Sequence, residues 1–180
     1  MEHEQEAYSF LSYQSLAIPG LLQTRDYCRA VFGYRYPAIG SETAEQWVSA
    51  RMERQLVLQR KRPPVCHFVI EEGILRRQVG GPEVMREQYQ QILDYTEPVH
   101  VSFQIMPTEM APHACLDGPM VLLETPDHDR LVYLEVQRAS FLVSDPEEVR
   151  DYDLKYGMLR SQALSPDESA RFLQGLLGDR

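Results

Sequence analysis

The sequence predicts an α+β fold in which helices pack on a mainly antiparallel sheet and two C-terminal helices complete the chain. Three observations predict it. Apolar residues recur every three to four positions in the first half, every two in the middle, and every three to four again at the end. The period of two is cleanest around Val99 to Met106, and a helix-start signal of capping residue, proline and two acids occurs twice near the C-terminus.

The elements follow in order. Residues 1–40 are expected to form an N-terminal segment and a helix, with turn-rich joints at Ile18-Pro19-Gly20 and from Gly33 to Gly40. From Ser41 to about Lys61, Ala44, Val48, Met52 and Leu56 recur every four, which places one stripe of a long helix against a core. Ser41, Glu42 and Thr43 suit its start. Val65 to Glu71 reads as the first strand, so that 41–96 holds helices and one strand. Met85, Tyr89 and Ile92 define a second helix from Pro82 to about Tyr95, with proline in the first-turn position that tolerates a missing N–H.

In 97–143, Val99, Val101, Phe103 and Ile105 alternate with His100, Ser102, Gln104 and Met106, which predicts a strand with one buried and one polar face. Pro119 to Glu124, Leu131 to Val136 and a short Phe141 to Val143 are further strands. The polar run Thr125 to Arg130 makes the first two an antiparallel hairpin. In 145–178 the signals Asp145-Pro146-Glu147-Glu148 and Ser165-Pro166-Asp167-Glu168 each open a helix. Val149, Tyr152, Tyr156, Leu159 and Ala163 form the apolar stripe of one; Phe172, Leu173, Leu176 and Leu177 form that of the other, and the two helices are expected to pack together. No repeat or low-complexity linker divides the 180 residues, so a single domain is expected.

Eighteen Lys and Arg against 27 Asp and Glu give a net charge of −9. Such a body repels phosphate backbones and anionic lipid, which excludes a general nucleic-acid coat or a polybasic membrane anchor. Lys61 and Lys155 are the only lysines beside 16 arginines, a bias that reads as base composition of the gene. Cys28, Cys66 and Cys115 have no CxxC or Cys/His ligand spacing. With no basic and apolar leader after Met1 and no apolar run near the roughly 20 residues of a membrane span, a reduced, cytoplasmic protein is expected.

Motifs for known chemistry are sparse. Gly80-Gly81-Pro82 fits neither phosphate-loop pattern, HExxH and GxSxG are absent, and the five histidines are scattered, so neither cofactor nor metal is expected. Glu71-Glu72 beside Arg76-Arg77 reads as an ion-paired strand–helix joint, with general acid–base work as the chemical alternative. Tyr133 and Glu135 share one face of a strand, beside a strand presenting Met120, Leu122 and Glu124 on one of its faces; polar groups on an apolar sheet suggest a ligand-lined surface, against a solvated edge. Pro107 to Gly118 is the longest irregular stretch and resembles a binding loop. Its Cys115 next to His113 has the residue types of a nucleophile and base, though residues two apart in a loop rarely aim at each other.

Several ordered pieces carry a resemblance: Ile18-Pro19-Gly20-Leu21-Leu22-Gln23-Thr24 with Asp26-Tyr27, Arg51-Met52-Glu53-Arg54-Gln55, Glu71 with Leu75-Arg76-Arg77, Val79-Gly80-Gly81-Pro82, Leu116-Asp117-Gly118-Pro119, Val132-Tyr133-Leu134-Glu135 and Ala163-Leu164-Ser165-Pro166. From about residue 7 to 178 the chain resembles a domain of unknown function common in actinobacteria, which usually follows an Xre-type helix-turn-helix in transcriptional regulators, some described as antitoxin-like. The chain carries no such helix-turn-helix, and Arg25 and His113-Ala114-Cys115 depart from the usual pattern. The resemblance supplies no catalytic residues; if a histidine has a family role, His113 is its position.

The resulting expectation is a ligand-sensing or protein-interaction domain, the regulatory body of such a regulator, which does not itself bind DNA. The polar groups expected to line its pocket are Gln23, Arg51, Glu71, Gln104, His113, Tyr133 and Glu135. Its partner would be a small molecule or a protein, and a homodimer through the C-terminal helix stripes is a third reading. The alternative from another class is a stand-alone enzyme of secondary metabolism, using Glu71 or Glu135 with His113 for cyclase- or lyase-like acid–base chemistry.

Overall fold

The computed structural model describes residues 6–110, 112–136 and 139–178. Strand β1 (Ser9–Gln14) leads into a 3₁₀ turn (Gly20–Leu22), then helices α1 (Arg25–Gly33) and α2 (Ser41–Gln55) and a second 3₁₀ turn (Leu56–Gln59). There follow β2 (Val65–Glu71), α3 (Glu72–Arg76), α4 (Pro82–Thr96), β3 (Val101–Met106), β4 (Met120–Glu124), β5 (Arg130–Val136), β6 (Ala139–Val143), α5 (Pro146–Gln162) and α6 (Pro166–Gly178).

The six strands form one mixed sheet of order β3-β2-β1-β4-β5-β6. Three of its five pairings are antiparallel, β1 with β4, β4 with β5 and β5 with β6, and the fold is α+β as expected. The other two, β1 with β2 and β2 with β3, are parallel, so β3, expected among the antiparallel strands of 97–143, is not one of them, and β1 is an unexpected strand that separates β2 from β4. Its alternation is blurred because Ser12 and Tyr13, neighbours that point to opposite faces, are both buried.

Each sheet face carries its own core. On the first face Phe10, Phe68, Ile70, Phe103 and Leu123 meet Leu22, Tyr27, Met85, Ile92 of α4 and Leu173 of α6. On the second, Tyr13, Val69, Met106, Leu122 and Val132 meet Val149, Tyr156 and Leu159 of α5. The two C-terminal helices therefore cover opposite faces and do not pack on one another. The chain passes from one face to the other around the edge of β3, where Leu164 N–H donates to the Ile105 carbonyl at 2.9 Å and the Ser169 hydroxyl accepts from Ile105 N–H at 3.0 Å.

Covering both faces also corrects the reading of β3. Its expected polar side contains Gln104 and Met106, both buried, and Val99 lies before the strand and is fully exposed. A second correction concerns α2, which ends at Gln55. Tightening into a 3₁₀ turn rotates the following residues, so Val57 and Leu58 are buried while Leu56, expected in the stripe, is 57 % exposed.

Both C-terminal start signals are made. Asp145 accepts from the N–H groups of Glu147 and Glu148 at 3.0 and 3.2 Å, while Ser165 and Glu168 satisfy one another's main-chain N–H in a reciprocal cap. Before α4, Gly80 has φ 77°, and a Cβ there would lie 3.0 Å from Ala30 Cβ and Val84 Cγ1, so both backbone and packing require glycine.

Candidate polar site at the end of the central strands

Glu71 ends β2, and the alternation of that strand turns its carboxylate to the second face, next to Tyr13 of β1. The Tyr13 hydroxyl donates to Glu71 Oε1 at 2.6 Å. Residues 112–118 of the loop following β3 lie at this end of the sheet and bring His113 Nε2 to 3.1 Å from the same oxygen. His113 Nδ1 accepts from the Cys115 main-chain N–H at 3.2 Å, which assigns the ring proton to Nε2 and makes the imidazole a donor to Glu71. The His113 side chain is 5 % exposed and that of Glu71 21 %, so the carboxylate is the group that solvent reaches.

Burial first, and the Glu71 carboxylate second, push the Tyr13 phenol above its ordinary value, so it remains a donor. Burial likewise pushes the Cys115 thiol up to about 11, against the opposing charge of Lys155. Cys115 is thus a protonated core thiol, and what it offers His113 is a main-chain N–H.

The loop holds the rest of the fold largely through polar contacts. Thr108 N–H donates to Glu72 Oε2 at 3.0 Å, Ala114 N–H donates to Gln162 Oε1 of α5 at 3.0 Å, and Lys155 of α5 pairs with Asp117. The Lys155 hydrogen bond holds the Asp117 carboxyl below its usual value. Glu72 also pairs with Arg76 at 2.6 Å, so the two adjacent acids diverge: Glu72 makes the ion-paired joint expected there, and Glu71 faces the loop.

Deeper on the same face lies a second polar cluster. His67 Nε2 donates to Gln104 Oε1 at 2.8 Å, and the Tyr156 hydroxyl of α5 lies 3.1 Å from His67 Nδ1 and 2.9 Å from the His67 carbonyl. Gln104 Nε2 donates to the Leu164 carbonyl at 2.6 Å. Burial, with the Arg160 charge behind it, pushes His67 down to about 4, so the ring is neutral and the cluster ties β2, β3 and α5 to the chain entering α6.

The other expected residues lie on the first face. Gln23 Nε2 donates to the Ile18 carbonyl at 2.7 Å and its Oε1 accepts from Arg51 at 2.9 Å, while the Arg51 guanidinium sits 4.7 Å above the Phe32 ring. The turn from Ile18 to Thr24 is buried away from any strand partner, and glutamines satisfy it: Gln55 donates to the Gly20 and Gln23 carbonyls, and Gln88 bonds Leu22 and Thr24. Tyr133 pairs with Val121, so Tyr133 and Glu135 project from the face opposite to Met120, Leu122 and Glu124. Glu135 stands within charge range of Arg51.

Of the seven expected residues, the fold thus brings Glu71 and His113 into contact, sets Gln104 in the deeper cluster, and sends Gln23, Arg51, Tyr133 and Glu135 to the other side of the sheet. Tyr13, His67 and Tyr156 were not expected. Their only sequence signal was an apolar-strand or helix-stripe position. A cleft of about 140 Å³ lined by Gln78, Pro82, Met85, Arg86, Tyr89 and Leu176 includes none of the seven.

Among the described residues no group of three or more His, Cys, Asp or Glu side chains is placed to hold a metal, and no helix is long and apolar enough to cross a membrane. A family model described as "Domain of unknown function (DUF5753)" matches residues 1–175. No curated protein and no solved structure matches the chain.

Proposed function

This chain belongs to the DUF5753 family of domains of unknown function, and from that premise we propose that it is a ligand-sensing domain of the cytoplasm, the regulatory body of a helix-turn-helix regulator that leaves DNA contact to another domain. The contact of His113 with Glu71 beneath the 107–118 loop supports this reading most. A ligand presenting a cationic or strongly donating group can take the place of His113 on the partly exposed carboxylate, whereas an apolar anchor could not be exchanged in this way. Release of His113 removes a contact between the loop and the sheet, and the loop grips α5 through Gln162 and Asp117. Binding at the sheet end is thereby coupled to a helix on the second face, the differential contact that a sensor needs. The net charge of −9 supports a body that stays off the duplex.

Ligand-observed NMR with a panel of small organic amines tests the assignment. At least one amine should bind the wild-type chain and lose about tenfold or more in affinity to Glu71→Gln, the expected weight of one charge-assisted contact. Amines that bind both forms equally, or none that binds the wild type, would overturn it.

The same pair of side chains supports a second reading, an acid–base enzyme of secondary metabolism. His113 argues against it, because both ring nitrogens are engaged by the protein and the side chain is nearly covered. A gene set among biosynthetic enzymes would favour the enzyme; an in-frame helix-turn-helix upstream would favour the sensor.

A further inference from the structure

The two edges of the sheet are treated differently. At β3 the chain covers its own edge, with Leu164 N–H and the Ser169 hydroxyl taking up both main-chain groups of Ile105. At β6 no strand lies beyond among the described residues, and all five residues Ala139–Val143 are uncharged. Phe141 and Leu142 project to opposite faces and are 56 % and 51 % exposed, and Val136, paired with Ala139, is 55 % exposed. Edge strands of monomers are ordinarily protected by charge, proline, a bulge or a covering segment. The residues Ala139–Val143 carry neither charge nor proline.

We propose that the chain forms a two-fold dimer by antiparallel pairing of β6 with β6 of a second copy, centred on Phe141. A second copy fits because the strand is complementary to itself. With five residues and the axis at the third, Phe141 faces the partner's Phe141, Leu142 faces the partner's Ser140, and Val143 faces the partner's Ala139. A large side chain meets a small one at each outer pair, and two rings meet in the middle. Moving the axis to Leu142 loses the ring pair and opposes Phe141 to Val143, and moving it to Ser140 replaces the ring pair by a contact between two serines. The absence of charge within the strand matters equally, since two bodies of −9 approach along it without placing like charges in the ladder. A five-residue strand is small beside the ~800 Å² per partner of stable interfaces, so the dimer is reversible. The C-terminal helix stripes have no part in it, because both lie in the cores.

Sedimentation velocity of the full chain from about 1 to 200 μM should show a concentration-dependent shift from the 20.8 kDa chain to twice that mass. Phe141→Lys, checked for folding by circular dichroism, should weaken association about tenfold or more. As a second readout, Phe141→Cys should form an intermolecular disulfide under mild oxidation, while Leu154→Cys, exposed on the outer side of α5, should not. A monomer throughout the range, a dimer unaffected by Phe141→Lys, or equal crosslinking at the two cysteines would overturn the proposal.

Discussion

Tyr13 and His113 donate to the same oxygen, Oε1 of Glu71, at 2.6 and 3.1 Å. One donor belongs to the sheet and the other to a loop: the tyrosine is fixed by core packing, and the histidine is covered by the fold, with its ring edge-on to Tyr13 and its Nδ1 on the Cys115 N–H. The oxygen is consequently the joint at which the loop is fastened to the sheet.

Replacing Glu71 by Gln weakens this joint without changing its shape. The amide oxygen still accepts from one donor but loses its charge, and a cost of about 1–2 kcal/mol in unfolding free energy is expected. Amide hydrogen exchange should quicken in residues 107–118 and stay unchanged in β2 and β3. A uniform increase across the sheet would count against a local fastening role.

His67 makes stability depend on pH. Its folded value is lowered to about 4 from the ordinary 6.5, so the unfolded chain binds the extra proton first. The contribution is fully present above pH 6.5 and is lost as the pH falls from 6.5 towards 4. It amounts to on the order of 2–3 kcal/mol over that window. Urea unfolding at pH 7 and 4.5 should show the loss, and His67→Gln should reduce it; an identical loss in the variant would refute the assignment.

Leu56 and Leu58 separate the observed 3₁₀ turn from a continuous helix. Leu58→Ala removes a buried side chain and should cost about 2–4 kcal/mol, whereas Leu56→Ala should fall within about 0.5 kcal/mol of wild type. Denaturant midpoints measure both, and the reverse order would mean that α2 continues past Gln55.

DNA supplies the test of the division of labour. Titrating labelled duplex at about 50 mM salt should give no saturable binding below about 100 μM, because a body of net charge −9 repels the phosphate backbone. Sub-micromolar binding by this chain alone would contradict a regulatory body that leaves the duplex to another domain.

Much of the fold could be read from local signals. The Asp145 and Ser165 caps, Pro82 at the first turn of α4, and the strand through Phe103 and Ile105 all rest on signals a few residues long, and each appears where expected. Where the reading failed, contacts distant in sequence decided. β1 is a strand because β2 and β4 flank it, and Gln104 is buried because the segment joining α5 to α6 crosses above it.

The candidate site divides in the same way. Glu71 and His113 stood out by residue type and by a long irregular loop, but their meeting depends on β1, β2 and the loop arriving at one end of the sheet. Gln23 and Arg51 stood out for the same reason, and they brace a turn. A polar side chain attached to an apolar element is one that must find a partner, and the pattern does not say whether that partner is a ligand or the main chain.

By itself, the sequence determined the helices with strong caps, the antiparallel β4–β5 hairpin, the acidic balance and the family resemblance, since each is written in composition or in neighbours a few positions apart. Only the tertiary structure decided that α5 and α6 take opposite faces, that Tyr13 and His113 share one carboxylate, and that β6 is left as an open edge. Those outcomes depend on register and on which face each helix buries, and both are settled by burial summed over the whole sheet, a quantity no local window contains.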